Sequence, residues 1–279
     1  MIVIFDSNYV GYNSAFAFSK GLEYLGGRTE VIYGFLLRII DMANKFEPDQ
    51  MVFCWDPRGN KRKEIFPGYK DREPTDIQIK ESRNVIHEQF REMRTVVLPY
   101  LGFSNIFMIE GFESDDVIAK IVHGRDPQET IVISSDDDLL QLLDHCCVYS
   151  ISKRRVMNKK LFQKEYRITP SEWPMVKAIA GCRSDTVPGV FGVAKTTAIK
   201  YLKGELKGAK KEAIDNAKKL IERNLGLVKL PLTGCPNPRI TKNDLSMKKF
   251  QEVASHYGMN SILSADNTKK WSDMVSKIE

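Results

Sequence analysis

The stretch IVISSDDDLLQLL, Ile131 to Leu143, runs an apolar strand pattern into three consecutive aspartates, Asp136, Asp137 and Asp138, and then turns apolar again. Burying the end of a strand next to that much negative charge is costly unless something compensates it. Two more apolar runs end in the same way, MIVIFD on Asp6 and MVFCWD on Asp56. Strand candidates are Met1 to Phe5, Met51 to Trp55, Asn105 to Ile109, Thr130 to Ser134 and Cys147 to Ile151, with helical patterns between them at Glu30 to Phe46, Thr75 to Leu101 and Ser114 to Val122. This alternation predicts an α/β fold with a mostly parallel central sheet and helices on both faces. Strand ends on one side of such a sheet border a common crevice, so Asp6, Asp56 and Asp136 are expected to face one site.

A fourth acidic group, Glu113, Asp115 and Asp116 in GFESDDVIAKIV, opens a helical pattern. Taken alone it reads as a helix start, with Ser114 or Asp115 as the cap and acidic residues favouring the dipole. Taken with the strand-end aspartates and Asp138 it reads as part of a cation site. Two carboxylates about 4 Å apart repel by roughly 4 kcal/mol at an effective dielectric near 20, so six or seven together call for a cation. Carboxylates without accompanying histidine or C-x-x-C select hard ions, Mg²⁺ with Mn²⁺ as its substitute, and such sites commonly meet substrate phosphates.

The remaining composition narrows the classes. Apolar residues make up 42% of the 279, enough for a sizeable core, and 28% are charged, which excludes disorder as the main state. No apolar run nears the roughly 18 residues of a membrane helix and the N-terminus lacks a basic leader, so a cytoplasmic protein without a membrane partner is expected. Five cysteines, odd in number and without a C-x-x-C pair, read as reduced thiols. The net charge is +6, and its distribution is uneven: Arg58 to Arg72 carries six basic residues against two acidic, and Lys200 to Lys229 nine against four. Those stretches suit a polyanion, although charge runs are also the usual solvated surface.

Five ordered motifs carry a family resemblance: IFDSNY (Ile4 to Tyr9), FCWDPRGNKRKEIFPGYKDR (Phe53 to Arg72), GFESDDVIA (Gly111 to Ala119), SSDDDLLQL (Ser134 to Leu142) and AGCRSDTVPGVFGVAKTTA (Ala180 to Ala198). The chain resembles the 5′→3′ exonuclease and flap endonuclease family, which includes phage 5′-nucleases and the 5′-nuclease domains of bacterial DNA polymerases. The resemblance extends to about Leu232. It implies a PIN-like nuclease domain over 1–172, with a basic arch or clamp at about 58–98. A helical region of helix-turn-helix type, which holds DNA, would follow over 173–279.

By position, the resemblance puts metal ligands at Asp6, Asp56, Glu113, Asp115, Asp116, Asp136, Asp138 and Asp185, leaving Asp137 variable and solvated. It puts catalytic cations at Lys70, which would stabilise the scissile phosphate, and at Arg72, one position short of the usual arginine. DNA contacts fall on Arg62, Tyr69, Gly189, Gly192, Lys195 and Thr196, and a K⁺ ion is implied near the helix-turn-helix. Two departures stand out. Ala194 replaces a third glycine and Lys195 comes one residue early; and where the family has two aspartates three apart, this chain has Cys182 and Asp185. The thiol leaves the second metal short of an oxygen ligand.

The implied activity is metal-dependent hydrolysis at DNA 5′ ends, nicks or flaps, with RNA–DNA hybrid as a further substrate and replication proteins on separate chains as partners. A weakly active or inactive DNA-binding protein is the alternative. An RNase sharing only the nuclease domain is the remoter one.

Overall fold

The computed structural model describes residues 1–18, 21–71 and 77–278, with only the helical backbone given for 77–80. Arg72 lies outside the described residues. A six-stranded sheet forms the centre. Its strands are β1 (Ile2–Asp6), β2 (Gln50–Cys54), β3 (Ile106–Phe107), β4 (Thr130–Ile133), β5 (Cys147–Ser150) and β6 (Arg155–Met157), in the spatial order β3-β2-β1-β4-β5-β6. The first five pair in parallel and β6 closes one edge antiparallel to β5. All five expected strands form. The edge strand, which sequence did not suggest, follows a tight turn and exposes Arg155.

Alternation within β1 shows why both faces are covered. Val3 and Phe5 enter one core with Phe35, Phe53 and Trp55, whereas Ile2 and Ile4 enter the other with Val117, Val132 and Trp173. A parallel strand buried on both faces reads as a near-continuous apolar run, and β1 and β4 are buried throughout, the terminal Asp6 and Thr130 included. The helix Glu30–Phe46 covers the first face and Ser114–Val122 the second.

The segment expected to be one helix over 75–101 is helical at Ile77–Glu92, π-helical at Met93–Val97 and helical again at Leu98–Leu101. Pro99 explains the change of pitch, because its ring cannot follow an ordinary helical turn without clashing with the carbonyl four residues back. Phe90, Met93 and Val97 are buried, so the C-terminal end of the expected arch is packed onto the body.

The region after Trp173 is shared between both faces. The helices Trp173–Ala180 and Lys195–Leu202 join the second core. The C-terminal helices Met247–His256 and Ala265–Ile278 instead cross to the first, where Phe250 stacks on Trp271 at 4.2 Å and Trp271 meets Phe103 at 6.2 Å.

Candidate metal centre

Chain order places the switch point of the sheet beside β1: the chain moves outward through β2 and β3, then returns to add β4 on the other flank. Ligands bind at such a point, outside the carboxyl ends of the strands. Asp6 is the last residue of β1 and is level with Cys54, while Phe5 is level with Ile133. Asp56 and Asp136 therefore follow the flanking strands and converge on Asp6 from either side.

Local hydrogen bonds hold these carboxylates in place. Asp6 caps the helix Ser7–Ala17 by accepting from Tyr9 N and also accepts from Ser134 Oγ at 2.7 Å. Asp56 accepts from Ser114 N at 2.8 Å, tying β2 to the acidic helix start, and Asp136 accepts from Asp138 N at 2.8 Å. Glu113, Asp115, Asp136, Asp138 and Asp185 line one cleft with Lys70.

The electrostatics are those of like charges held close together. Burial, then Asp56 and Asp136, pushes Asp6 up to about 7. Burial, with Asp136, Asp6 and Asp56 next, raises Asp115 well above the usual carboxylate range. Asp56 is raised too, burial leading, and so is Asp136, whose carboxyl is crowded by its neighbours, Asp137 and Asp185 among them, although the residue is exposed at the surface. Asp138 is pushed up to about 7 by burial against the opposing pull of Lys177. Raised carboxyls are expected where the fold gathers like charges that repel one another.

Glu113 behaves differently. It caps the acidic helix, in place of the Ser114 or Asp115 expected there, and it accepts from Tyr69 OH at 2.9 Å and from Lys70 Nζ. Arg62 Nη1 lies 3.2 Å away. Burial alone would raise Glu113, but Lys70 and Arg62 outweigh it and hold the carboxyl below its ordinary value.

Three expectations change here. Arg62 does not reach a DNA-facing surface: it is 1% exposed, its guanidinium forms a two-pronged pair with Asp116, and its Nε donates to Leu227 O at 2.7 Å. Asp116 has both oxygens engaged, by Arg62, by Glu113 N at 3.1 Å and by Leu232 N at 2.7 Å, so it stands behind the cluster as an internal brace. Asp137, expected to be solvated, pairs with Lys177 at 2.7 Å and with Lys195. The partners responsible come from 54, 40 and 58 residues away, beyond any local pattern.

Tyr69 is buried with its hydroxyl on Glu113, so in this structure it supports the cluster from within. Lys70 adopts a left-handed backbone, φ +49°, and its N–H donates to Asp185 O at 2.9 Å. Thr186, also left-handed at φ +57°, returns a hydroxyl to Gly68 O. Non-glycine residues in this conformation concentrate at functional sites, and here they fasten the Tyr69–Lys70 turn to the Cys182–Asp185 loop.

Sequence reasoning missed Lys177. It is 2% exposed on the helix Trp173–Ala180, within 2.8 Å of Asp138 Oδ1 as well as Asp137. Its signal was legible in principle: a lone lysine in the apolar run WPMVKAIA must snorkel out or find a carboxylate.

Cys182 lies in a two-residue strand, level with Val187, with Sγ 2.8 Å from Asp185 Oδ2 and 2.8 Å from Ser184 Oγ. Ligand atoms of Asp138, Cys182 and Asp185 all lie within 4.8 Å of one another. The turn expected to belong to a helix-turn-helix follows. Gly189 and Gly181 touch through their backbones, Gly192 is left-handed at φ +71°, and Thr196 is exposed in the first turn of the following helix. An open groove beside the carboxylate cleft is lined by Asp137, Lys177, Cys182, Gly189, Gly192 and Lys195.

Comparison with known proteins agrees with this geometry. The family model described as "5′-3′ exonuclease, N-terminal resolvase-like domain" matches residues 1–167. DNA polymerase I of Streptococcus pneumoniae is 29% identical over 222 residues, 74% of this chain but 24% of the relative, so the chain spans about a quarter of that protein. The 5′-3′ exonuclease of Aquifex aeolicus is 29% identical over 208 residues, 72% of this chain and 68% of the relative. Among solved structures, T5 5′-exonuclease with bound zinc superposes with a TM-score of 0.68 at 20% identity, covering 100% of this chain and 99% of its own. Flap endonuclease-1 from Methanococcus jannaschii reaches 0.58 at 16%, covering 99% and 92%. At these identities the structural likeness shows the fold.

Proposed function

The chain belongs to the 5′-3′ exonuclease family, and from that premise we propose that it is a divalent-metal-dependent nuclease hydrolysing phosphodiester bonds at DNA 5′ ends, nicks or flaps. One observation carries the reading: Asp6, Asp56, Asp115 and Asp136 converge at the sheet's switch point, and all four carboxyls are raised, Asp6 and Asp115 by burial and then by others of the four. An internal salt-bridge network would lower carboxyl pKa values, as it does for Glu113 and Asp137, and these four are raised instead.

The all-oxygen donor set of Asp6, Asp56, Asp115 and Asp136 fits Mg²⁺ or Mn²⁺. When bound, such ions supply Lewis acidity, lowering the pKa of water and neutralising phosphoryl charge. The chain's own groups do the rest. Ser134 and Ser114 orient Asp6 and Asp56, and Lys70, half exposed above Glu113, is placed to meet a phosphate oxygen whose charge grows during attack. The glycine turn Gly189 to Gly192 and the exposed Thr196 would receive the duplex backbone, with the K⁺ ion expected at that turn. Arg72 is proposed as a second phosphate contact and RNA–DNA hybrid as a further substrate. Such an enzyme would act in the cytoplasm beside replication proteins on other chains.

An end-labelled 5′-flap duplex, a nicked duplex and a blunt duplex, each incubated with the protein and Mg²⁺ or Mn²⁺, test the proposal. Metal-dependent release of 5′-terminal products from flap or nick, quenched by EDTA, is expected. Binding of all three without product in either metal would favour the inactive DNA-binding alternative.

A further inference from the structure

The second metal position does not have the chemistry of the first. Its three donors are the carboxylates of Asp138 and Asp185 and the thiol of Cys182, gathered within 4.8 Å. Asp138 is 9% exposed, and its Oδ1 accepts no hydrogen bond of good geometry although the Lys177 ammonium stands 2.8 Å away. The fold also fixes the thiol. Cys182 is paired with Val187 across a two-residue ladder, 6% exposed, with Sγ against Asp185 Oδ2. The residue packs in a small core with Ala178, Val187 and Leu227, yet its sulfur turns to a carboxylate and a hydroxyl; burial outweighs the pull of Lys177 and pushes the free thiol up to about 11, so a bound ion has to displace its proton.

We propose that Asp138, Cys182 and Asp185 form a thiolate–dicarboxylate metal position that selects thiophilic divalent cations, such as zinc, cobalt or cadmium, over magnesium. The inference rests on the nuclease reading only for the idea that a metal belongs there. Thiolate sulfur favours the softer ions, whereas Mg²⁺ demands oxygen in near-ideal octahedral geometry and gives up its waters reluctantly. On binding, the thiol gives its proton to solvent and Sγ supplies the electron pair of the new bond. The neighbouring Lys177 offsets part of the accumulated negative charge while remaining paired with Asp137. The chain would thus carry two unlike positions, one of oxygen ligands for a hard ion and one that includes sulfur.

The test uses Cd²⁺ alone with the full chain and no DNA. Wild type should show the ultraviolet charge-transfer absorption of a cadmium–thiolate bond, saturating at one equivalent. Cys182→Ser, which keeps a hydroxyl to face Asp185 and Ser184, should lose that band and bind Cd²⁺ more than about tenfold more weakly, the lower end of the loss seen for even an outer-shell partner. Cys182→Asp should lose the band while gaining Mg²⁺ affinity in a calorimetric titration. Circular dichroism on each variant separates lost ligation from lost folding. Superimposable cadmium spectra for wild type and Cys182→Ser would overturn the inference, because the band would then come from Cys54, Cys146, Cys147 or Cys235. That result would leave the nuclease reading standing if flap cleavage proceeds in Mg²⁺. A Cys182-dependent band without cleavage in any metal would instead sink the nuclease reading and keep the site.

Discussion

The guanidinium of Arg62 grips both carboxylate oxygens of Asp116, at 2.6 and 2.7 Å, in a pair that solvent does not reach. It joins the basic segment that follows β2 to the acidic helix, and Nε extends the join to Leu227 O. Removing one partner of a buried pair leaves the other uncompensated, at a cost of about 3–5 kcal/mol. Arg62→Ala should lose that much in urea unfolding. At temperatures where the variant stays folded, the salt dependence of its DNA binding should match wild type. A phosphate contact would instead reduce the salt slope by about one.

Lys177 is the internal cation beside the proposed second metal position, paired with Asp137 and Asp138. Lys177→Met should destabilise the metal-free protein by about 3–5 kcal/mol. The loss should shrink in saturating divalent metal, because an ion can take over the neutralisation of Asp138. Urea unfolding with and without metal measures both numbers, and equal losses would show that Lys177 and the metal do not share a carboxylate.

The raised carboxyls make a statement about stability. Asp6 and Asp138, ordinarily near 3.8, stand at about 7 in the folded chain. A folded-state pKa above the unfolded value means tighter proton binding in the fold. The stability it brings is present below about pH 4 and lost as pH rises toward 7. The Tm gained on adding divalent metal should therefore grow across that window. Asp115→Asn, which removes one repelling charge, should raise the metal-free Tm at pH 8 above wild type, a trade of function against stability. A lower Tm there would mean that Asp115 is satisfied within the protein.

Gly189 approaches the Ala180 carbonyl so closely that a Cβ would sit 2.2 Å from backbone atoms, with no flexible side chain to move. Gly189→Ala should cost about 1–3 kcal/mol or more by overpacking. Because Gly181 and Cys182 share the displaced ladder, the variant should also weaken cadmium binding at Cys182. Unchanged stability and cadmium affinity would show that the turn and the second metal position are independent.

What sequence could reveal depended on range. Asp6, Asp56 and Asp136 were legible because each ends an apolar run, and a parallel sheet aligns such ends. The helices Glu30–Phe46 and Ser114–Val122 were legible from periodicity. The pairing of Arg62 with Asp116, and of Lys177 and Lys195 with Asp137, was not, since each joins residues 40 or more positions apart through the tertiary fold. The resemblance could rank carboxylates as ligands, but it could not show that Asp116 is fully engaged from behind. The π-helical turn at Met93–Val97 was hidden for a related reason: Pro99 signals a break, and only packing of Met93 and Val97 into the core keeps the helix running through it.

If the carboxylate cluster gathers metal for phosphodiester hydrolysis, the effect is read in single-turnover cleavage of a 5′-flap duplex by Asp136→Asn beside wild type. The substitution removes one charge and no volume, so flap affinity measured without metal should stay within about threefold, a change under 1 kcal/mol. The cleavage rate at saturating Mg²⁺ or Mn²⁺ should fall by at least about a hundredfold, a loss of roughly 3 kcal/mol of transition-state stabilisation. Cleavage by Asp136→Asn at the wild-type rate would contradict the account.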